Sequence, residues 1–190
     1  MYKLCKTEQS AKRQRELEQG LLKAMQQHSY EEISISELCQ SMAVPRKSFY
    51  RYFSSKDGAL YALIDHTLME YETFARETGV RTLHKDLERF FRFWQQNSAL
   101  VSALERSGLS GLLVQRAVAY SLNDVVSTIR FMADEVREMK NQVMTFAVCG
   151  LLAMMLQWYQ EGYKTSAREM AEMAQRLLTQ PLFPNAAQML

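Results

Sequence analysis

The amino-acid sequence predicts an all-α fold, and three observations support that prediction. Glycine and proline are scarce, with 7 and 3 in 190 residues, whereas an all-β sandwich or barrel needs turn residues every ~8–12 positions. Helix-favouring residues, including 12 methionines, are abundant. Apolar residues recur at helical spacing along most of the chain. With 47% hydrophobic and 23% charged residues, the composition is that of a folded globular protein.

The first helix is predicted to begin at Arg15 and to end at the polar pair His28-Ser29. The residues of its inner face recur at intervals of one, three and four, as they do on one side of a helix. These residues are Leu17, Leu21, Ala24, Met25 and His28.

The second helix is predicted to begin at Ser34, because Ser34 and Glu37 have the spacing of a capping box. In that motif, the serine oxygen and the glutamate carboxylate each accept from a backbone N–H at the start of the helix. The helix is short, since Pro45 disfavours helical geometry at Val44. Its apolar face consists of Ile35, Leu38, Cys39 and Met42.

The third helix is predicted from Pro45 to Phe53, with Phe49 and Phe53 facing inward because they are four residues apart. The residues left for the outside are Arg46, Lys47, Ser48, Tyr50, Arg51 and Tyr52. Two short helices joined by a tight turn are typical of a helix-turn-helix, whose second helix enters the major groove of DNA. The alternative is a solvated helix in an ordinary bundle, but two exposed tyrosines are unusual on such a surface.

Residues 33–56 resemble the DNA-binding signature of the TetR family of bacterial transcriptional regulators. The most specific part is Ser48-Phe49-Tyr50-Arg51-Tyr52-Phe53-x-x-Lys56, and residues 150–162 are similar to the penultimate helix of many members. The resemblance implies a three-helix DNA-binding domain over 1–55. It also implies a larger helical domain for effector binding and dimerisation over 56–190, with about nine helices in the whole chain.

The same resemblance implies a set of DNA-contacting residues, in which Arg46 reads bases and Lys56 binds a phosphate. The full set is Ser36, Arg46, Lys47, Ser48, Tyr50, Arg51, Tyr52 and Lys56. Two positions depart from the family pattern. Ala43 stands where the turn usually has glycine, which costs about 1 kcal/mol if φ is positive there. Ala59 stands where leucine is common.

Six further helices are predicted in the remaining two thirds. They run from Lys56 to about Thr78, from about Leu83 until a stop by Asn97-Ser98, from Ser98 to Arg106, from Leu109 to about Met139 with a break near Asn123 as the alternative, from Asn141 to Tyr163, and from Ser166 to Leu178. Gly79 ends the first of these, and Pro181 and Pro184 follow the last.

The last two predicted helices are apolar on more than one side. Helices of that kind need cover all round, and one chain of this size has little material to supply it. The sequence therefore predicts a two-fold dimer whose interface is a four-helix bundle from the last two helices of each chain. The alternative is that both helices pack entirely within one subunit.

Several aromatic and methionine residues are candidates for lining an apolar ligand pocket, although such residues are more often plain core. They are Phe90, Phe91, Phe93, Trp94, Tyr120, Phe131, Met132, Met144, Met155 and Trp158. By the family resemblance, a small effector, apolar or aromatic, binds there and releases the protein from a palindromic DNA operator. A few members take a protein effector instead.

Charge and cysteine use favour a cytoplasmic DNA-binding protein. Residues 1–56 carry a net charge of +4 and residues 57–190 a net charge of −2, which places a polyanion partner at the N-terminal end. Cys5, Cys39 and Cys149 form no disulfide pattern and are expected to be partly or fully buried. The longest nearly apolar run, 143–156, is too short for a membrane span, and the N-terminus lacks a signal sequence.

No motif for catalysis, for a metal or for a cofactor is found. His28, His66 and His84 lack a zinc spacing, and no phosphate loop or G-x-S-x-G elbow occurs. The adjacent Asp65 and His66 are expected to be surface charges on a helix. The sequence therefore predicts a ligand-responsive repressor and not an enzyme. The alternative is a helical dimeric module for protein interaction, or an activator with a protein effector.

Overall fold

A computed structural model describes residues 1–76, 82–123 and 138–180, and every regular element in these ranges is a helix. The helices are α1 (Glu8–Met25), α2 (Ile35–Ser41), α3 (Arg46–Tyr50), α4 (Lys56–Arg76), α5 (Leu83–Gln96), α6 (Ser98–Arg106), α7 (Ser110–Asn123), α8 (Lys140–Gln160) and α9 (Ala167–Thr179). The predicted all-α fold, with an N-terminal helix-turn-helix, is confirmed.

Helix α1 begins earlier than predicted, at Glu8 instead of Arg15. Thr7 has extended geometry and its hydroxyl accepts from the backbone N–H of Ser10 at 3.3 Å, so it caps the helix. The prediction began too late because residues 8–14 are all polar except Ala11 and so show no apolar stripe. The sixth helix was predicted with its observed bounds, Ser98–Arg106.

Helix α3 is shorter than predicted. Pro45 precedes the helix with φ −64° and ψ 142°, and the helical residues end at Tyr50. Helix α8 also ends before its predicted limit, since Gly162 and Tyr163 both have positive φ. Gly79, the segment 124–137 and the two late prolines lie outside the described residues.

The chain forms two compact units. The first contains Met1–Glu70 and Asn97–Tyr120. Helices α1, α2, α3 and α6 and the first part of α4 meet in its core. The largest buried side chains there are Leu17, Leu21, Met25, Leu38, Phe49, Phe53, Leu60, Leu63 and Ile64. Cys39 is buried in the same core, as expected for a small apolar residue, and Cys5 is half-buried.

The second unit contains Tyr71–Gln96 and Ser121–Leu190. Helices α8 and α9 both pack against α5. The core is aromatic, and the ring of Phe91 meets the ring of Trp158 edge to face at 5.7 Å. The predicted division into functional domains at 55/56 stays a prediction.

One helix among the described residues, α8, is long and apolar enough to cross a bilayer by length and composition alone. Core and interface helices of soluble proteins meet the same criterion.

Candidate nucleic-acid interface

The start of α2 is held by the capping box that the sequence predicted. The Ser34 hydroxyl accepts from the backbone N–H of Glu37 at 3.1 Å, and the Glu37 carboxylate accepts from the backbone N–H of Ser34 at 3.3 Å. Hydrogen bonds to Ser34 lower the pKa of the Glu37 carboxyl. The box therefore fixes where the chain enters the helix-turn-helix.

The end of α2 turns sharply at Ala43, which has a φ of 52°. The Val44 N–H donates to the Cys39 carbonyl at 2.9 Å, and the Ala43 N–H donates to the Gln40 carbonyl at 3.0 Å. This pair of hydrogen bonds is a Schellman motif, which requires a left-handed residue at this position. Ala43 stands at the position where the family pattern usually has glycine, and its positive φ produces the backbone strain expected for alanine.

Two buried aromatic rings anchor α3. Phe49 and Phe53 are fully buried, and their ring centroids lie 5.1 Å apart. The inward orientation predicted for both is confirmed. With Phe49 facing the core, α3 presents Arg46, Lys47 and Tyr50 to solvent, with Ser48 half-buried, and Arg51 is exposed just beyond its end.

The outward face of α3 carries positively charged side chains that form no ion pair with a described acidic residue. No acidic side chain among the described residues lies within ion-pair distance of Arg46, Lys47 or Arg51. The guanidinium of Arg46 lies over the ring of Tyr50, 5.9 Å from its centroid. In protein–DNA complexes, arginine, lysine and tyrosine side chains commonly contact phosphates, and arginine and lysine also contact base edges.

Tyr52 does not face outward as predicted. It is only 7% exposed. Because α3 ends at Tyr50, a helical face cannot be extended to residue 52. The N-terminal segment also covers this position, and the Lys3 N–H donates to the Tyr52 carbonyl at 3.0 Å. The DNA contact expected for Tyr52 stays a prediction without the support of an exposed ring.

The ammonium group of Lys56 donates hydrogen bonds to backbone carbonyls of the protein itself. Its Nζ donates to the carbonyls of Tyr30 at 2.6 Å and Ile33 at 2.9 Å, with the Glu31 carbonyl at 3.4 Å. It also lies 4.3 Å from the centroid of the Tyr30 ring. Lys56 therefore holds the segment between α1 and α2 against the start of α4. Its phosphate contact stays a prediction, and Ser36, which is exposed on α2, has the same standing.

Tyr30 is fixed at the other side of this link. Its hydroxyl donates to Asp57 at 2.6 Å, and its backbone N–H donates to Ser107 Oγ at 3.2 Å. Burial, followed by the hydrogen bond to Asp57, raises the pKa of Tyr30. These contacts join the α1–α2 link to the start of α4 and the end of α6.

Asp65 and His66 are not the surface charges that the sequence predicted. Asp65 is only 9% exposed; its carboxylate accepts two hydrogen bonds from Arg116 and one from Tyr2. His66 Nδ1 lies 2.9 Å from both carboxylate oxygens of the buried Glu18. Both residues therefore join helices within the first unit. The partners are distant in sequence, which is why local spacing did not reveal them.

A polar groove lies beside the end of α3 and was missed by the sequence analysis. It has a volume of about 470 Å³ and is lined by Gln9, Ser10, Lys12, Arg13, Glu16, Arg51 and Tyr52. Most of these residues come from the early turns of α1, which the sequence analysis left outside the helix. The available signal was the polar stripe of Gln9, Arg13 and Glu16, which are spaced four and three residues apart.

The candidate pocket residues fall into three groups. Phe90, Phe91, Phe93, Trp94, Met144, Met155 and Trp158 are buried in the second unit. Tyr120 belongs to the first unit, and Phe131 and Met132 lie outside the described residues. Whether the buried group lines an effector site stays a prediction. No metal-binding cluster of His, Cys, Asp or Glu occurs in the described ranges.

An all-helical fold with a helix-turn-helix and an exposed basic second helix defines a DNA-binding regulator. The profile for bacterial regulatory proteins of the tetR family matches residues 20–63, and the profile for a transcriptional regulator C-terminal region matches residues 81–180. The chain belongs to the TetR family of transcriptional regulators. The family implies DNA binding and a small-molecule effector site in the C-terminal domain, and its members are in general not enzymes.

Three solved structures of regulatory proteins share this fold at low sequence identity. A tetR-family transcriptional regulator from Streptomyces coelicolor has a TM-score of 0.61 and 19% identity, covering 88% of this chain and 79% of that one. The fatty acid degradation regulator FadR from Bacillus halodurans has a TM-score of 0.65 and 12% identity, covering 94% and 98%. The dihydroxyacetone kinase operon activator DhaS has a TM-score of 0.59 and 14% identity, covering 87% and 93%. No curated protein matches this sequence significantly.

Proposed function

We propose that this protein is a cytoplasmic transcriptional repressor that binds a palindromic operator as a dimer and is released by a small-molecule effector. The observation that carries the proposal is the outward face of α3, where Arg46 and Lys47 are exposed and have no acidic partner in the described part of the chain. Arginine in the first turn of such a helix reaches guanine in the major groove. Arg46 is therefore assigned to base readout, and Lys47, Ser48, Tyr50 and Arg51 to nearby bases or phosphates.

The dimer is supported by an apolar surface that residues 1–76, 82–123 and 138–180 leave open. Phe146 is 68% exposed, and Gly150 and Ala153 follow it on the same face of α8. On α9, Met173 and Leu177 are also exposed, with Leu177 at 47%. The opposite faces of both helices pack toward α5. A second copy covering this surface forms the four-helix bundle and presents two α3 helices to one DNA duplex.

The effector is proposed to be an apolar or aromatic molecule that carries a hydrogen-bond acceptor. The second unit is rich in buried aromatic rings, and the buried indole N–H of Trp94 finds no acceptor among the described residues. The Tyr163 hydroxyl is also buried without a partner, and burial raises its pKa to about 12. A ligand acceptor facing Trp94 satisfies a donor that is otherwise costly to bury.

Compounds of this class are expected to raise the Tm of the protein, and Trp94→Phe is expected to reduce that rise.

An activator is the second candidate. DhaS, one of the similar structures, is an operon activator, and the shared fold is compatible with either direction of control. A reporter gene placed behind the bound promoter separates the two, since deletion of the regulator raises expression for a repressor and lowers it for an activator.

The DNA-binding role is tested by selecting fragments from a DNA library with the purified protein and measuring affinity for the enriched sequence. Arg46→Ala is expected to lower affinity about tenfold or more and to relax the preference at one base position per half-site. Arg168→Ala is the matched control, because it removes an exposed arginine on α9, outside the helix-turn-helix. If Arg46→Ala and Lys47→Ala both bind the enriched DNA like the wild type, α3 is not the recognition helix.

A further inference from the structure

We infer that the polar groove between α1 and the end of α3 binds the sugar–phosphate backbone of duplex DNA. The inference rests on the proposed function, because it places this backbone beside the base pairs that α3 contacts. Arg51 belongs both to the exposed residues at the end of α3 and to the groove, so the two surfaces are continuous. The groove residues on α1 are new to the DNA-contacting set.

The composition of the groove fits a phosphate backbone better than a small molecule. Pockets for small molecules are mostly apolar, whereas this groove is lined almost entirely by polar side chains. Gln9, Ser10 and Arg13 supply amide, hydroxyl and guanidinium donors, which are the common protein contacts to phosphate oxygens. Their spacing places them on one exposed side of α1, with Lys12 beside them.

The charge of the groove favours an anion. Lys12, Arg13 and Arg51 face a single acid, Glu16. Glu16 pairs with Arg13 at 2.9 Å, and both side chains are about half exposed, so the ion pair is weak and exchangeable. Lys12 and Arg51 have no acidic partner among the described residues. Two uncompensated cations therefore remain for a phosphate.

The walls of the groove are held in place before DNA binds. The N-terminal segment pairs with the chain after α3, where the Lys3 N–H donates to the Tyr52 carbonyl at 3.0 Å and the Ser54 N–H donates to the Met1 carbonyl at 3.1 Å. The other side of α1 is buried through Gln14, Leu17 and Glu18, which keeps Lys12 facing outward. A surface that needs no rearrangement loses little entropy on binding.

The inference is tested with Lys12→Ala on the full-length protein and the enriched DNA. Affinity is expected to fall about five- to tenfold at 0.1 M salt, because one phosphate contact changes the slope of log K against log salt by about 0.9. The loss should be equal for enriched and unrelated DNA, since a phosphate contact carries no sequence information. Lys23→Ala is the matched control: Lys23 is exposed on the same helix, lies outside the groove, and is about 16 Å further along the axis.

Three results overturn the inference. In the first, Lys12→Ala keeps wild-type affinity and salt slope while Arg46→Ala is impaired, which removes the groove but leaves the proposed function intact. In the second, Arg46→Ala also binds normally, and the proposed function fails together with the inference. In the third, inorganic phosphate raises the Tm of the wild type but not of Lys12→Ala, while their DNA-binding slopes are the same. That result assigns the groove to a free anion.

Discussion

The φ of 52° at Ala43 is a strained conformation in the turn that sets the direction of α3. Two other helices end with the same hydrogen-bond pattern, and there the left-handed position is taken by Gly108 with φ 66° and Gly162 with φ 73°. Alanine is disfavoured in this region because Cβ approaches the neighbouring carbonyl oxygen. At the left-handed position itself, alanine stands only in the DNA-binding turn, although Tyr163 follows Gly162 with a φ of 57° in the turn after α8.

Ala43→Gly is expected to raise the free energy of unfolding by about 0.5–1 kcal/mol, because relief of strain exceeds the added chain entropy of glycine. Gly108→Ala is the mirror test and should lower it by about 1 kcal/mol. A Cβ at Gly108 meets no atom within 4 Å, so backbone strain alone acts there. Urea unfolding measures both changes, and an Ala43→Gly variant no more stable than the wild type contradicts the assignment of strain.

At the scale of elements, the link between α1 and α2 is organised by one lysine from α4. The three carbonyls bound by Lys56 belong to residues 30–33, directly before the capping box of α2. A charged donor shared among carbonyls gives stronger hydrogen bonds than a neutral one. The direction in which α2 leaves the link therefore depends on this side chain.

Lys56→Met is expected to lower the free energy of unfolding by about 1–2 kcal/mol, because charge-assisted hydrogen bonds to partly buried carbonyls are lost. Lys47→Met is the control on the exposed face of α3. It should leave stability unchanged and make the salt slope of DNA binding shallower by about 0.9. Chemical unfolding and DNA titration over a salt series measure these effects. Unchanged stability in Lys56→Met with a reduced slope indicates that its main role is the phosphate contact.

At the scale of the whole molecule, the outer faces of α8 and α9 are not covered by any of the residues that the structure describes. Exposed apolar residues are common singly, but a continuous set on two helices marks an interaction surface. By length and composition alone, α8 also meets the criterion for a membrane-spanning helix. The proposed cover by a second copy accounts for this composition.

Phe146→Glu and Leu177→Glu are each expected to convert the dimer to a monomer at micromolar concentration, because a charge is placed in an apolar interface. Leu4→Glu is the control, since Leu4 is 80% exposed and lies outside α8 and α9. Sedimentation velocity measures the oligomeric state. Dimers that persist in both variants, with folding intact by circular dichroism, place the interface elsewhere.

The left-handed position at Ala43 was implied by the family pattern. Local signals in the sequence determined the helical class, the capping box at Ser34 and the inward direction of Phe49 and Phe53. Each depends on residues within about five positions of one another, so chain geometry alone specifies it. The family signature between residues 48 and 56 is local in the same sense. For that reason the DNA-binding class was predictable from the sequence.

Only the tertiary structure decided the roles of residues whose partners are distant in the chain. Asp65 meets Arg116 across 51 positions, Lys56 reaches back to Tyr30, and the first residues of the chain cover Tyr52. The groove joins the early turns of α1 to Arg51 in the same way. A spacing rule describes one helix face, whereas burial and pairing depend on which other element packs against that face. These contacts exist only after the chain has folded.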